Sequence, residues 1–443
     1  MSSDFTWGVS TSAFQIEGAT HADDRGESIW DRFHAEGHMP DGGEPATDHY
    51  HRYQEDIALM GELGVGGYRF SIAWPRVMPD GKTINPAGLD FYDRLVDELL
   101  AAGIAPWPTL YHWDLPIAVQ DRGGWPHRDT VGRFMDYTAA VVDRLGDRVG
   151  HWITQNEPWV SAMLGHRDGY FAPGIADWKL ALRAGHHLLL SHGRATEVIR
   201  ELGGESQVGI ALDCRAGYPA SDSAEDIDAA SHFDGFRNRW FFDPVHGKGY
   251  PEDMVEAYAE AGRFEGDPLD FVQSDDMEVI ATPTDFTGIN YYTSLAVNTA
   301  NKEREVAESE PGPNPAPGYT EMGWAITPEW LTKFLVRVNE DYGPSSIVIT
   351  ENGASYSDGP DETGKINDQR RIDYLDAHIA AVGDARGQGV PITGYFEWSL
   401  LDNLEWVAGY GQRFGIVHVD FETMTRTPKA SYHWYRDRID QGL

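Results

Sequence analysis

Past Phe5 the chain alternates eight times between short apolar runs of strand type and longer amphipathic runs of helical type, a rhythm that few folds accommodate. The strands are read at residues 4–10, 67–72, 104–110, 149–153, 207–212, 286–290, 347–350 and 392–396. The main helices are read at 50–63, 89–102, 130–145, 180–202, 328–342 and 368–386, with further helical signals at 224–239 and 251–261. In the first of these, Tyr53, Ile57, Met60 and Leu63 fall at helical spacing. Strands separated by helices pair in parallel, and eight such units with no G-x-G-x-x-G after the first strand point to a closed barrel over a doubly wound sheet. No internal repeat, linker or low-complexity tract interrupts the pattern. Residues 1–443 are therefore expected to form one α/β domain, a single (β/α)8 TIM barrel with its active site at the C-terminal ends of the strands.

Two strand ends stand out. His151-Trp152-Ile153-Thr154-Gln155-Asn156-Glu157-Pro158-Trp159 begins as a strand and turns polar where Pro158 forbids the ladder to continue. Ile347-Val348-Ile349-Thr350 is a fully apolar strand with Glu351 at its end and Asn352-Gly353 read as the turn behind it. A lone strand-end glutamate is most simply a cap or a solvated turn residue. Two matched ones, on the fourth and seventh strands of a barrel, would face each other across its mouth. Gln15, Arg69, His112, Asn156, Asn290 and Trp398 occupy comparable strand ends and should converge on the same face.

The formal net charge of −36 argues against nucleic acid and anionic membrane as partners. The basic residues are mostly Arg, and an Asp/Glu surplus with little Lys is what a surface adapted to high salt would carry; a merely acidic surface is the alternative. Cys214 stands alone, so no intrachain disulfide is expected. There is no basic and apolar leader at the N-terminus and no run of 18 apolar residues, so a soluble, cytoplasmic protein is expected, with no membrane partner and homo-oligomer formation left open. Several tryptophans sit beside Asn, Glu or His, as a site for a flat, hydroxylated ligand requires. His186, His187 and His192 share a helix without a completing acidic ligand, and are read as helix packing, with no metal and no cofactor expected.

Two carboxyl groups across a barrel mouth are what glycoside hydrolysis needs: one protonates the leaving oxygen while the other attacks or activates water. At about 5–5.5 Å the second attacks and configuration is retained; at about 6.5–9.5 Å a water fits between and configuration inverts. Spacing along the sequence leaves that choice open.

The segments Phe14-Gln15-Ile16-Glu17-Gly18, Tyr68-Arg69-Phe70-Ser71-Ile72-Ala73-Trp74-Pro75-Arg76, Tyr111-His112-Trp113-Asp114-Leu115-Pro116, Asn156-Glu157-Pro158-Trp159, Asn290-Tyr291-Tyr292, Ile349-Thr350-Glu351-Asn352-Gly353 and Trp398-Ser399-Leu400-Leu401-Asp402-Asn403, with Glu405-Trp406, occur in this order. Together they resemble the family 1 β-glucosidases over nearly the whole chain. That resemblance implies a retaining double displacement on a small-molecule glycoside, with Glu351 as nucleophile and Glu157 as acid and base. It further implies that Asn156 binds the sugar 2-hydroxyl, that Gln15, His112, Glu405 and Trp406 bind the remaining hydroxyls, and that Trp398 is the platform under the ring. Arg69, Trp113, Asn290 and Tyr292 are expected to support these groups, and Trp324 to lie on the aglycone side.

Each has a plainer reading: His112 as a core histidine, Arg69 as a structural ion-pair partner, Trp398 and Trp406 as packing. Glu405 where relatives acting on 6-phosphorylated sugars tend to carry Ser and Lys favours an unphosphorylated sugar. Leu404, Ile117 and Phe171 depart from the family's frequent residues, and with the Pro/Gly/Glu-rich segment 298–323 they leave aglycone preference open. Hydrolysis of terminal β-D-glucosyl groups, as in cellobiose, is the reading. Galactosidase or fucosidase specificity and transglycosylation are its neighbours, and a silent sugar-binding protein would have had to lose one of the two carboxylates.

Overall fold

The computed structural model describes residues 5–263, 266–267, 269–303 and 318–443. Eight parallel strands close on themselves in sequence order: β1 (Thr6–Ser10), β2 (Gly67–Ser71), β3 (Ala105–Tyr111), β4 (His151–Asn156), β5 (Gln207–Pro219), β6 (Phe286–Val297), β7 (Ile347–Asn352) and β8 (Ile392–Trp398), with β8 paired to β1. Around them lie α1 (His49–Leu63), α2 (Pro86–Ala101), α3 (Asp129–Leu145), α4 (Trp178–Leu202), α5 (Ala224–Asp234), α6 (Pro328–Tyr342), α7 (Gln369–Gly387) and α8 (Ala430–Gln441). The expected barrel is therefore the observed one. Each helix turns its apolar stripe onto the strands; α2, for example, buries Leu89, Phe91, Tyr92, Leu95, Val96 and Leu99.

The inside of the barrel is filled, not hollow. Trp107, Ile153, Ala211, Phe286, Val348 and Phe396, one from each of β3 to β8, form an apolar cluster toward its lower end. Above that layer the inward-facing residues become polar, and the mouth of the barrel is where charge collects.

Several elements differ from expectation. The strand read at 149–153 runs on to Asn156, so Glu157 follows it directly. Asn352 and Gly353 make no turn: Asn352 is the last residue of β7, and its side chain donates to Tyr291 O at 2.5 Å. Gly353 is required for another reason, since a Cβ there would stand 1.7 Å from Trp398 O. The fifth and sixth strands extend well past the barrel rim as a paired ribbon, with Ala216 opposite Ser294 and Pro219 opposite Val297. The helix read at 224–239 is broken, α5 giving way to a π-helical stretch over Gly235–Arg239. A short antiparallel pair, β9 (Val417–Asp420) with β10 (Thr425–Pro428), gave no signal. Most of the segment 298–323, read as a functional loop, lies outside the described residues, as does Asp4 of the stretch read as the first strand.

Candidate active site

Strand parity alone would turn one of the two glutamates the wrong way. Val348 faces the barrel interior, so strict alternation would send Thr350 inward and Glu351 outward. The pairing register of β7 with β8 slips between Ile349 and Asn352, and that of β4 with β5 slips between Ile153 and Asn156. Each irregularity inserts an odd step at the end of the strand, which re-aims the following side chains into the mouth. Glu157 then adopts φ of 49°, outside the strand conformation, and its N–H donates to Ala211 O at 2.9 Å.

A continuous hydrogen-bonded network links the two carboxyl groups. Asn290 Nδ2 donates to Glu157 Oε1 at 2.7 Å and to Asn156 Oδ1 at 3.0 Å. Arg69 donates to Asn156 Oδ1 at 2.6 Å and forms a buried ion pair with Glu351. Tyr292 Oη donates to the other Glu351 oxygen at 2.6 Å. Thr350 Oγ1 holds Asn290 Oδ1 at 2.6 Å, which fixes the amide so that its nitrogen faces the carboxylate. Arg69 is itself held by Thr350 O at 3.0 Å.

These surroundings give two identical side chains different acidities. Burial pushes Glu157 well above the usual carboxylate range; the charges of Asp213 and Glu351 add to this, and the Asn290 amide and Arg237 oppose it. Burial raises Glu351 too, but Arg69 and the Tyr292 hydroxyl, which both favour the charged form, counter it. Glu157 is thus the readier of the two to hold a proton, and Glu351, which is raised less, the readier to be the anion. His112 is held well below its ordinary value by burial and by Arg69, so it is a neutral imidazole, and Asn156 Nδ2 lies 3.1 Å from its Nε2.

Every residue expected at the site is there. Glu157, Glu351, His112, Trp113, Tyr292, Trp324, Trp398, Glu405 and Trp406 line one cavity of about 660 Å³. Gln15, Arg69, Asn156 and Asn290 are fully or almost fully buried just behind that lining. Gln15 Nε2 donates to Leu404 O at 2.8 Å and to Asn403 Oδ1 at 3.0 Å, and stands 3.5 Å from Glu405 Oε2. Trp113 Nε1 donates to Asn156 O at 3.0 Å. Trp406 packs against Trp30 and Trp113 with ring centroids 4.4 and 4.6 Å away, and Trp398 lies nearly parallel to His112. Trp324 meets Tyr292 with ring centroids 5.4 Å apart. Burial and the charge of Glu351 push Glu405 up to about 8, so near neutrality it is largely an uncharged carboxyl.

The same cavity is also lined by residues that strand-by-strand reading missed: Asp213, Arg215, Arg237, Arg167, Arg263 and Trp178. Asp213 was within reach, because it follows directly on the run read as the fifth strand; the others lie in irregular stretches that give no periodic signal. Phe171, one of the departures, also lines the cavity and packs on Trp113 at 5.8 Å. His186, His187 and His192 lie on α4, buried, and bond to Tyr250 and Asp276, to Trp125 O and to Thr154 respectively.

Residues 1–442 match the sequence model of glycosyl hydrolase family 1. Beta-glucosidase A of Acetivibrio thermocellus is 46% identical, the alignment covering 98% of this chain and 97% of that protein. A bifunctional beta-D-glucosidase/beta-D-fucosidase of Bifidobacterium breve is 42% identical over 98% of this chain and 96% of that one. Among solved structures, a beta-glucosidase from Thermotoga maritima in complex with glucoimidazole superposes with a TM-score of 0.93 at 44% identity, covering 99% of both chains.

Proposed function

The chain belongs to glycosyl hydrolase family 1 and is a β-glucosidase, and from that premise we propose that Glu351 is its nucleophile and Glu157 its acid and base. Glu351, kept anionic by Arg69 and Tyr292, attacks the anomeric carbon of a terminal glucosyl group while Glu157 gives its proton to the departing oxygen. Glu157, now charged in a buried setting, takes a proton from water as that water displaces Glu351 from the sugar, and configuration is retained. Asn156 is the partner for the 2-hydroxyl, whose hydrogen bond strengthens as positive charge builds at the neighbouring carbon. Gln15, His112, Glu405 and Trp406 take the other hydroxyls, Trp398 carries the face of the ring, and Trp324 meets the aglycone. The observation that carries this reading is the network running Glu157–Asn290–Asn156–Arg69–Glu351 around one cavity.

Cellobiose and aryl or alkyl β-glucosides are the proposed substrates, which would give the enzyme a part in cellulose breakdown. A fucoside is the second candidate, because the Bifidobacterium breve relative is named for both activities. The test is azide rescue with an activated aryl β-glucoside. Glu351→Ala should be rescued as the α-glycosyl azide and Glu157→Ala as the β-glycosyl azide, and turnover like that of the parent enzyme in either variant would reject the roles.

A further inference from the structure

The catalytic cycle above makes no use of the carboxylate that ends the barrel portion of β5. Asp213 lies two residues beyond Ala211, which faces the inner cluster, so it points the same way one layer higher, into the mouth. Its neighbour in the β5–β6 register is Asn290, the residue that donates to Glu157. Asp213 is almost fully buried, and its carboxylate forms an ion pair with Arg237. The Arg237 guanidinium in turn lies 3.5 Å from the centroid of Trp159, two residues past Glu157. Asp213, Arg237, Glu157 and Glu351 all line the same cavity.

We propose that Asp213 is a third working carboxylate of this site, a positioning residue whose negative charge, metered by Arg237, keeps Glu157 in its acid form between turnovers and restores its proton within each one. The ionisable and polar groups that share the cavity or the hydrogen-bonded network of Glu157 include Arg69 from β2, His112 after β3, Asp213 and Arg215 from β5, Arg237 from the 235–239 stretch, Asn290 and Tyr292 from β6, Glu351 from β7 and Glu405 after β8. Asp213 and Glu351 both carry charges that favour the protonated form of Glu157. The two charges have different lifetimes. Glu351 loses its charge when its oxygen bonds to the anomeric carbon, just when Glu157 must become a base. The charge of Asp213 persists through that step, so it sustains the proton affinity of Glu157 while water is being deprotonated.

The proposal rests on the assignment of Glu157 as acid and base, and one set of pH profiles separates the two. The basic limb of kcat/KM for an aryl β-glucoside reports the acid of the free enzyme. Asp213→Asn removes a negative charge and should move that limb to lower pH by about one unit; Arg237→Met removes a positive charge and should move it to higher pH. Glu157→Gln should abolish the limb. If the limb vanishes in Glu157→Gln but stays fixed in Asp213→Asn and Arg237→Met, Asp213 merely braces the mouth and the proposal is wrong. A limb that survives in Glu157→Gln overturns the assignment beneath it, and the proposal with it. If Asp213→Asn does not fold, Arg237→Met decides alone, an upward shift supporting the proposal and an unmoved limb refuting it.

Discussion

Glu157 and Glu351 carry the same side chain, and their neighbours suit them to the opposite duties proposed. The Tyr292 hydroxyl donates to Glu351 and favours its charged form, so Tyr292→Phe should raise the Glu351 pKa. As the proposed nucleophile, Glu351 works deprotonated. The acid limb of kcat/KM should therefore move to higher pH by about 0.5–1 unit while the basic limb stays put. A pH–rate profile checks this, and an unmoved or downward-shifted acid limb would show that the hydroxyl does not support the anion. Arg69 is less replaceable, because it holds Glu351, Asn156 and Thr350 O together. Arg69→Met leaves a buried carboxylate without its cation and should lower kcat/KM by about 100-fold or more, measured at the optimum pH of each enzyme.

At the scale of elements, the site depends on irregularities in otherwise regular strands. The slips in β4 and β7 put Asn156 and Glu351 into the mouth, and β7 must lie close enough to the end of β8 that only glycine fits at residue 353. Gly353→Ala has to push Trp398 and Glu351 apart, and a misplacement of this kind should cost about 100-fold in kcat in a protein that still folds, as circular dichroism and steady-state kinetics would show. The loop after β8 that carries Glu405 is fastened at Asp402, whose fully buried carboxylate meets Lys429 at 2.8 Å and Arg413 at 2.8 Å. Lys429 lies at the start of α8, so the pair ties the last helix to the active-site loop. Lys429→Met removes one partner of a buried pair and should destabilise the fold by about 3–5 kcal/mol, read from urea unfolding. A loss under about 1 kcal/mol would mean that Arg413 suffices for Asp402.

For the molecule as a whole, 71 acidic residues face 35 basic ones. Cations are so outnumbered that single arginines serve several carboxylates: Arg148 meets Asp93, Asp97 and Asp147, while Arg144 meets Asp90 and Asp93. Exposed pairs of this sort contribute little each, about 0–1 kcal/mol, and salt weakens them. The unpaired surplus repels itself, and screening that repulsion favours the compact state. We therefore expect the melting temperature to rise by several degrees between about 0.1 M and about 2 M NaCl. A melting temperature that is flat or falls over that range would remove salt adaptation as a reading of the acidic surface. Among the described residues no helix is long and apolar enough to cross a membrane.

The family resemblance supplied Trp113, Tyr292, Trp324, Glu405 and Trp406, while alternation of strand and helix and the polar strand ends were enough to specify the barrel, the rim that carries the site and the other eight residues that meet there. These are local or periodic properties, and a chain writes them plainly because backbone hydrogen bonding and burial act on neighbours three, four or two residues apart. The register slips that aim Asn156 and Glu351, the need for glycine at 353 and the ion pair of Asp213 with Arg237 were settled only by folding. Each depends on atoms that approach from distant parts of the chain, where electrostatics and steric exclusion act through space and leave no periodic mark on the sequence.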